Sequence, residues 1–263
     1  MDYIDKLLYD ILEEYDNFIK NFDKIILDKL SNEIVISNNN IYILGVGKSE
    51  TIALHLTNLL KSVGIKVFNL NVLNSLHGDI GTLSNNDIVI MFSKSGNTYE
   101  LIELSKYIKK KGCKIWGICC SKESKFNEIR DNIISLPHIK ELESDIIKTL
   151  PTNSCLIQLI FCNLLTVIVS NKLNIKLDNY RINHPAGNIG NKLKKIKDSI
   201  IYEFPKIVLT FKVLLQDVLL EMTKFSIGCC FFVNSNGEII GLLSDGDIRR
   251  LLVNNINKKF IYL

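Results

Sequence analysis

Short apolar segments that alternate with longer helical patterns constrain the fold of this chain more than any other feature. Five such segments, each bounded by turn residues, lie at 41–46, 66–70, 87–92, 114–119 and 132–136. Between them, apolar residues recur at helical spacing over 49–63 and 99–111. Strands that alternate with helices of this length are typical of βαβ units, which build parallel sheets. The sequence therefore predicts an α/β fold with a doubly wound, parallel five-stranded sheet.

Helical patterns also flank the predicted sheet on both sides. Residues 1–37 carry apolar side chains at helical spacing and predict one or two amphipathic helices. After Pro151 a long apolar helix is predicted to continue to about Lys172, and a second helix to begin near Asn188. These helices would cover the faces of the sheet.

A second, smaller pattern begins near the C-terminus. A helix at 214–223 is followed by strands at 229–233 and 239–243 and by a helix from Asp245. About 55 residues are few for an independent hydrophobic core. We therefore predict three segments: a first domain at 1–197, a linker at 198–207, and a small α+β unit at 208–263.

Charge and hydropathy exclude several classes of partner. The net charge of +4 is spread along the chain, and the basic clusters at 109–111 and 192–197 are typical of helix ends, so no nucleic-acid partner is expected. The most apolar stretch, 156–169, is shorter than the roughly 20 residues that span a membrane, and we interpret it as a core helix.

Two further features predict a cytoplasmic location. The acidic first 16 residues do not resemble a signal peptide. The seven cysteines show no metal-ligand spacing and are interpreted as reduced thiols, largely small core side chains.

Two glycine-containing turns at predicted strand ends are candidates for anion binding. GVGKS at 45–49 follows the first strand, so its glycines allow a tight turn in front of a helix whose N–H groups attract an anion. SKSGNT at 93–98 follows the third strand and adds three hydroxyl groups. Ligands of open α/β sheets bind at this edge, which favours a ligand site over helix capping alone. PTNS at 151–154 is explained by capping, unless it lies beside the other two.

Five ionisable residues could carry chemistry, although each has a simpler structural explanation. His77 and His184 lie in predicted loops, Glu100 could complement the dipole of a helix, and Glu143 lies among other acidic residues. Lys48 belongs to the first glycine turn. None of the five identifies an activity by itself.

The order of these motifs resembles the sugar-isomerase domain of arabinose-5-phosphate isomerases. That family carries similar motifs in the same order, namely GMGKS, HGD, SxSGESSE, PTSS and HPGGxLG, and here they read GVGKS, HGD at 77–79, SKSGNT, PTNS and HPAGNIG from His184. Residues 237–250 resemble the end of a cystathionine-β-synthase (CBS) repeat. The resemblance covers about residues 41–253.

The resemblance implies a set of site residues. Four ionisable positions would be catalytic: Lys48, Glu100, Glu143 and His184. The substrate and its phosphate would be bound by Gly47, Ser49, His77, Ser93, Ser95, Thr98 and Thr152. No cofactor and no essential metal is implied, although His77 and His184 could bind a transition metal adventitiously.

The activity implied is the interconversion of D-ribulose 5-phosphate and D-arabinose 5-phosphate through an enediol. Its product would supply 3-deoxy-D-manno-octulosonate for lipopolysaccharide synthesis, and the protein would be a homotetramer. Three features depart from the family pattern: Asn97 replaces a Glu, Ala186 replaces a Gly, and one CBS-like repeat is present where most members have two. The first two departures bear on substrate preference, and the third bears on regulation.

Two other functions fit the same residues. One is an isomerase of another sugar phosphate, such as a hexulose phosphate. The other is a sugar-phosphate sensor without catalytic activity. A sensor needs the phosphate site but no base, so the presence of all four ionisable residues favours an enzyme.

Overall fold

A five-stranded parallel sheet forms the centre of the first of two structural units, Met1–Leu193. The computed structural model describes residues 2–121, 123–129, 132–137, 139–144, 147, 149–209 and 213–254. The strands pair in the order β2-β1-β3-β4-β5. They are β1 (Ile41–Gly45), β2 (Val67–Asn69), β3 (Ile88–Phe92), β4 (Lys114–Cys119) and β5 (Asn132–Ser135). The predicted α/β class and parallel five-stranded sheet are confirmed.

Helices cover both faces of this sheet. They are α1 (Tyr3–Asn21), α2 (Lys24–Ile36), α3 (Lys48–Ser62), α4 (Val72–Leu76), α5 (Tyr99–Lys110), α6 (Phe126–Ile129), α7 (Asn153–Lys172), α8 (Leu177–Asn183) and α9 (Gly187–Leu193). Alternate strand residues point to opposite faces. Accordingly Ile41 and Ile43 pack with α1, α2, α3 and α7, whereas Tyr42 and Leu44 pack with α4, α5 and α6. The sheet is therefore doubly wound, as predicted.

Helix α7 is the most apolar helix of the described residues. Its length and composition would allow it to cross a membrane, but half of its apolar window is buried inside the structure. Ile157, Phe161, Leu165 and Val169 lie one turn apart and are almost fully buried in the core that α7 shares with the sheet. Burial of such a side chain contributes about 1.5–3 kcal/mol. The prediction that residues 156–169 form a core helix is therefore confirmed.

The second unit, Lys194–Leu263, has its own small sheet and core. Strand β6 (Lys206–Val208) pairs parallel with β7 (Cys229–Val233), which pairs antiparallel with β8 (Ile239–Ser244), and the helices are α10 (Leu215–Phe225) and α11 (Asp245–Asn254). The predicted linker, 198–207, is wrong at its end, because residues 206 and 207 belong to β6. Residues 210–212 and 255–263 of the predicted unit lie outside the described residues.

The remaining differences concern short helices. The predicted helices agree with α3, α5, α7, α10 and α11 to within two residues where their ends were given, but α4, α6 and α8 were not predicted. Helices of four to seven residues complete one or two turns, too few for a hydrophobic period to stand out.

Candidate active site

The chain leaves β1 and β3 for opposite faces of the sheet, and the carboxyl edge between these two strands is the candidate crevice. The two strands are neighbours in the sheet, yet β1 leads into α3 on one face and β3 leads into α5 on the other. Such a switch point leaves a gap at the carboxyl edge in which open α/β sheets bind ligands. Both glycine turns predicted to bind an anion border this gap.

The loop after β3 is a tightly braced turn. The buried Ser93 Oγ accepts a hydrogen bond of 3.0 Å from the Gly96 N–H and lies 2.8 Å from Thr98 Oγ1. Thr98 is the residue before α5, but its hydroxyl bonds Ser93 rather than the helix, so capping does not explain it. The Asn97 N–H donates to Ser95 Oγ at 3.1 Å, and Ser95 and Lys94 are exposed. Hydroxyl and ammonium groups therefore face the solvent at the crevice.

The loop after β1 presents a cation at the same edge. Gly47 has a φ of 60° and a ψ of −123°, a backbone conformation that side chains disfavour, and it immediately precedes α3. Lys48, the first residue of α3, is exposed, and Ser49 is half-buried. An ammonium group therefore lies at the positive end of the α3 dipole, where an anion is favoured.

The beginning of α7 is occupied by a carboxylate from within the chain. Glu141 Oε2 accepts hydrogen bonds from the Thr152 N–H at 2.9 Å and the Ser154 N–H at 3.0 Å. The Thr152 hydroxyl donates to the same oxygen, and the Ser154 hydroxyl donates to Oε1. Thr152, predicted to bind phosphate, is thus committed to Glu141. In the structure the PTNS segment anchors this buried carboxylate, and phosphate binding by Thr152 stays a prediction.

Lys94 completes the environment of Glu141. Its Nζ lies 2.6 Å from Glu141 Oε1. Burial by itself would raise the pKa of Glu141, but the bonds from Lys94, Ser154 and Thr152 outweigh it and lower the pKa to about 2. Glu141 is therefore ionised at neutral pH. Sequence reasoning missed both residues, because Glu141 is distant in sequence from Lys94 and is one of several acidic residues in its segment.

Three charged residues from separate segments converge near Cys155. Burial raises the pKa of this thiol, Glu141 raises it further, and Lys48 and Lys94 lower it. The geometry agrees, because Gly45, three residues before Lys48, pairs with Phe92 at the end of β3, and Lys94 contacts Glu141 at the start of α7. The structure therefore brings Lys48 together with the predicted SKSGNT loop.

Three other predicted residues lie at this carboxyl edge. Glu100 is half-buried in the first turn of α5, directly after the braced loop. Glu143 is exposed and follows Leu142, whose N–H donates to Thr152 Oγ1 at 2.9 Å. His77 is exposed and directly follows α4. The start of α4 lies beside the first turn of α3, where the side-chain amide of Asn71 donates a hydrogen bond of 3.1 Å to Glu50.

His184 lies elsewhere in the chain. Its ring packs against Tyr180 with centroids 4.1 Å apart, and its Nδ1 lies 2.8 Å from the Tyr180 carbonyl oxygen. The side chain of the neighbouring Asn183 donates a hydrogen bond to the carbonyl oxygen of Ser62, which is the last residue of α3. Lys48 is the first residue of the same helix. A helix of 15 residues is about 22 Å long. A single copy of the chain therefore does not bring His184 to the crevice.

Among the described residues, no three His, Cys, Asp or Glu side chains are grouped as metal ligands. His77 and His184, predicted as adventitious ligands, lie near opposite ends of α3. The described site offers acids, cations and hydroxyl groups.

Comparison with protein families identifies the domain. The SIS domain model matches residues 34–168, which are 135 of the 263 residues of the chain. The chain belongs to the SIS domain family. The matched region contains the sheet, both loops of the crevice, Glu141 and most of α7, whereas His184 lies beyond it.

Relatives of this SIS domain protein extend the similarity to the rest of the chain. A protein of unknown function from Chlamydia muridarum is 33% identical over 237 residues, which cover 89% of this chain and 70% of the relative. Arabinose 5-phosphate isomerase KdsD of Pseudomonas aeruginosa is 24% identical over 259 residues, 97% of this chain and 74% of KdsD.

A solved structure shows the same fold. Protein c3406 of Escherichia coli CFT073, in complex with arabinose 5-phosphate, superimposes with a TM-score of 0.62 at 22% identity. The superposition covers 70% of this chain and all of c3406. The fold of the first unit is thus that of the SIS domain.

Proposed function

We propose that this SIS domain protein is an aldose–ketose isomerase that interconverts D-ribulose 5-phosphate and D-arabinose 5-phosphate. The observation that carries the proposal is that Lys48 and the braced loop 93–98 follow strand ends that are paired in the sheet, since Gly45 of β1 pairs with Phe92 of β3. Glu100 lies in the first turn of α5, directly after the loop, and Glu143 follows Leu142, which bonds Thr152. The similarity to KdsD over nearly the whole chain supports the choice of substrate. The product would then supply 3-deoxy-D-manno-octulosonate for lipopolysaccharide synthesis, and we propose a cytoplasmic location.

The phosphate of the substrate is assigned to the loops after β1 and β3. The hydroxyl groups of Ser95 and Thr98, together with the first turns of α3 and α5, can surround an anion from several sides. Gly47 and Ser49 form the opposite wall of the crevice, and Ser93 braces the loop from beneath. Binding the phosphate would place C1 and C2 of the sugar without reacting with them.

The chemical step needs a base and a cation. In the direction from aldose to ketose, the base removes the proton on C2, and the C1 carbonyl oxygen becomes the enediolate oxygen. Protonation of that oxygen and of C1, with loss of the C2 hydroxyl proton, completes the ketose. Lys48 would stabilise the developing oxyanion, and either Glu100 or Glu143 would move the proton. His77 would contact the sugar.

The catalytic role of His184 also stays a prediction, and it would require a second copy of the chain. The family resemblance implies a catalytic role, for instance in ring opening, but His184 lies near the far end of α3 from Lys48. It can therefore serve this reaction only at the site of a second copy of the chain. We accordingly propose a homo-oligomer, with a tetramer as the state that the resemblance implies.

The test is an assay with a panel of pentose and hexose phosphates. We expect the purified protein to form ketose from arabinose 5-phosphate, and the Lys48→Met variant to lose most of this activity while still binding the substrate. Turnover of a hexose phosphate alone would establish a different isomerase. Tight binding of a sugar phosphate without any turnover would establish a sensor instead.

A further inference from the structure

We propose that Lys94 is a phosphate-binding residue of this site and that Glu141 is the positioning residue that holds it there. The inference rests on the proposed function, because it concerns the same sugar phosphate. Lys94 lies between Ser93 and Ser95 in the braced loop after β3. Its side chain is 44% exposed, whereas the side chain of Glu141 is 5% exposed. Lys94 thus contacts a buried carboxylate while a large part of its side chain stays accessible to solvent.

The ammonium group has the capacity to bind a second anion. Three protons are available on Lys94 Nζ, and the bond of 2.6 Å to Glu141 uses one of them. Both the backbone of Lys94 and the tip of its side chain are held in place. The Cys120 N–H donates to the Lys94 carbonyl oxygen at 2.9 Å, which extends the pairing of β3 with β4, and Glu141 holds the tip.

Glu141 is held more rigidly than a surface ion-pair partner. It accepts the N–H groups of Thr152 and Ser154 and both of their hydroxyls. Moving it would leave these donors at the start of α7 without an acceptor, which is costly for buried groups. A lysine side chain otherwise samples many rotamers, so this anchor reduces the entropy lost when a ligand binds.

Charge balance explains why the pair is needed. Glu141 occupies the N–H groups of Thr152 and Ser154 at the start of α7, so we place the phosphate at the loop after β3 instead. A phosphate monoester carries about −1.5 to −2 charges at pH 7 and would be repelled by an ionised Glu141. Lys94 lies against Glu141 and neutralises it, and Lys48 adds a further positive charge near the same point.

The experiment measures binding by calorimetry, so that it does not depend on turnover. The ligands are inorganic phosphate and arabinose 5-phosphate, and the proteins are the wild type, Lys94→Met, Lys94→Arg, Glu141→Gln and the Lys94→Met/Glu141→Gln double variant. Lys114→Met is the control, because Lys114 is exposed at the amino end of β4.

We expect Lys94→Met to weaken the binding of both ligands by a similar factor of about 10 or more, and Lys94→Arg to retain binding within about threefold. Glu141→Gln should weaken both ligands as well, and the double variant should bind no more weakly than Lys94→Met, because Glu141 acts through Lys94. The control should bind as the wild type does.

Two results would overturn the inference. One is unchanged phosphate binding by Lys94→Met. The other is tighter phosphate binding by Glu141→Gln, which would mean that the carboxylate competes with phosphate for one site. If Glu141→Gln does not fold, Lys94→Met and Lys94→Arg decide whether Lys94 binds the phosphate. If phosphate binding depends on Lys94 but no ketose forms, the isomerase proposal is refuted and this inference is supported. If ketose forms but phosphate binding does not depend on Lys94, the isomerase proposal is supported and this inference is refuted.

Discussion

Glu141 shows how one residue can link the site to the stability of the fold. Its pKa is about 2 in the folded protein, below the 4.5 of a free glutamate, because Lys94, Ser154 and Thr152 stabilise the carboxylate more than burial destabilises it. A lowered folded-state pKa stabilises the protein fully above the unfolded value. That stabilisation is lost as the pH falls from about 4.5 towards about 2.

We therefore predict a pH-dependent difference between the wild type and Glu141→Gln. The difference in pKa corresponds to about 3 kcal/mol of unfolding free energy in the wild type. Urea unfolding at about pH 6.5, 4.5 and 3.5 should show a loss in the wild type below pH 4.5 that is smaller in the variant. Glu128→Gln, at an exposed carboxyl, is the control. Equal losses in all three proteins would contradict the prediction.

The two candidate bases can be separated by kinetics. We expect either Glu143→Gln or Glu100→Gln to lose roughly 100-fold or more in kcat with little change in KM, since only the true base moves the proton. Glu143 is slightly favoured, because Glu100 also has a structural role at the start of α5. Glu103→Gln, one turn further along α5, is the control. Steady-state rates near wild type in both variants would refute the mechanism, provided that circular dichroism shows them folded.

The loop between β3 and α5 depends on one glycine. Gly96 has a φ of 66°, and a Cβ there would lie 1.8 Å from Ser124 Oγ. The loop must therefore approach the segment after β4 closely, and the Asn97 side chain joins the same contact by accepting from the Lys125 N–H at 2.7 Å. Asn97, which departs from the family pattern, thus points to this neighbouring segment.

We predict that Gly96→Ala raises KM for arabinose 5-phosphate about 10-fold or more, with a smaller change in kcat, because the phosphate loop must shift. Gly81→Ala is a matched control, since its φ is not positive and a Cβ there meets nothing within 4 Å. Replacing Ser124 by Gly in the Gly96→Ala background should recover part of the lost affinity. A KM near that of the wild type for Gly96→Ala would show that the loop does not bind the phosphate.

Helix α1 leaves an apolar stripe exposed along the first unit. Ile4, Leu8, Leu12 and Ile19 lie at helical spacing and are all exposed, whereas Phe18 of the same helix is buried. Contiguous apolar surface of this kind on a folded domain is typical of a protein–protein interface. This stripe supports the proposed homo-oligomer, in which a second copy would cover α1.

We predict that the wild type is oligomeric at micromolar concentration and that Leu8→Glu/Leu12→Glu is smaller by light scattering, because burying two carboxylates is unfavourable. Lys6→Glu, at another exposed position of α1, is the control. If His184 acts at a neighbouring site, the smaller species should also fall to the kcat of His184→Ala. A monomeric wild type would refute both the proposed homo-oligomer and the proposed action of His184 at a neighbouring site.

The C-terminal unit has a core of its own, which includes Val218, Met222, Cys230 and Ile248. Its resemblance to one CBS repeat stays a prediction, and it rests on the motif around Ser244 and Asp247, whose side chains bond each other at 2.6 Å. All residues assigned to the reaction lie in the first unit.

The sequence by itself determined the α/β class, the five strands and the loops at the crevice, because burial of a strand or helix leaves a local period that can be read residue by residue. It also singled out Lys48 and the 93–98 loop as candidates, because two turns with glycine and hydroxyl residues lie at the strand ends where open α/β sheets bind ligands. Only the tertiary structure decided that Glu141 fills the start of α7, that Lys94 binds Glu141, and that His184 lies far from Lys48. The contacts of Glu141 join residues 11 or more positions apart, and packing of whole elements, rather than any local pattern, brings such residues together or keeps them apart.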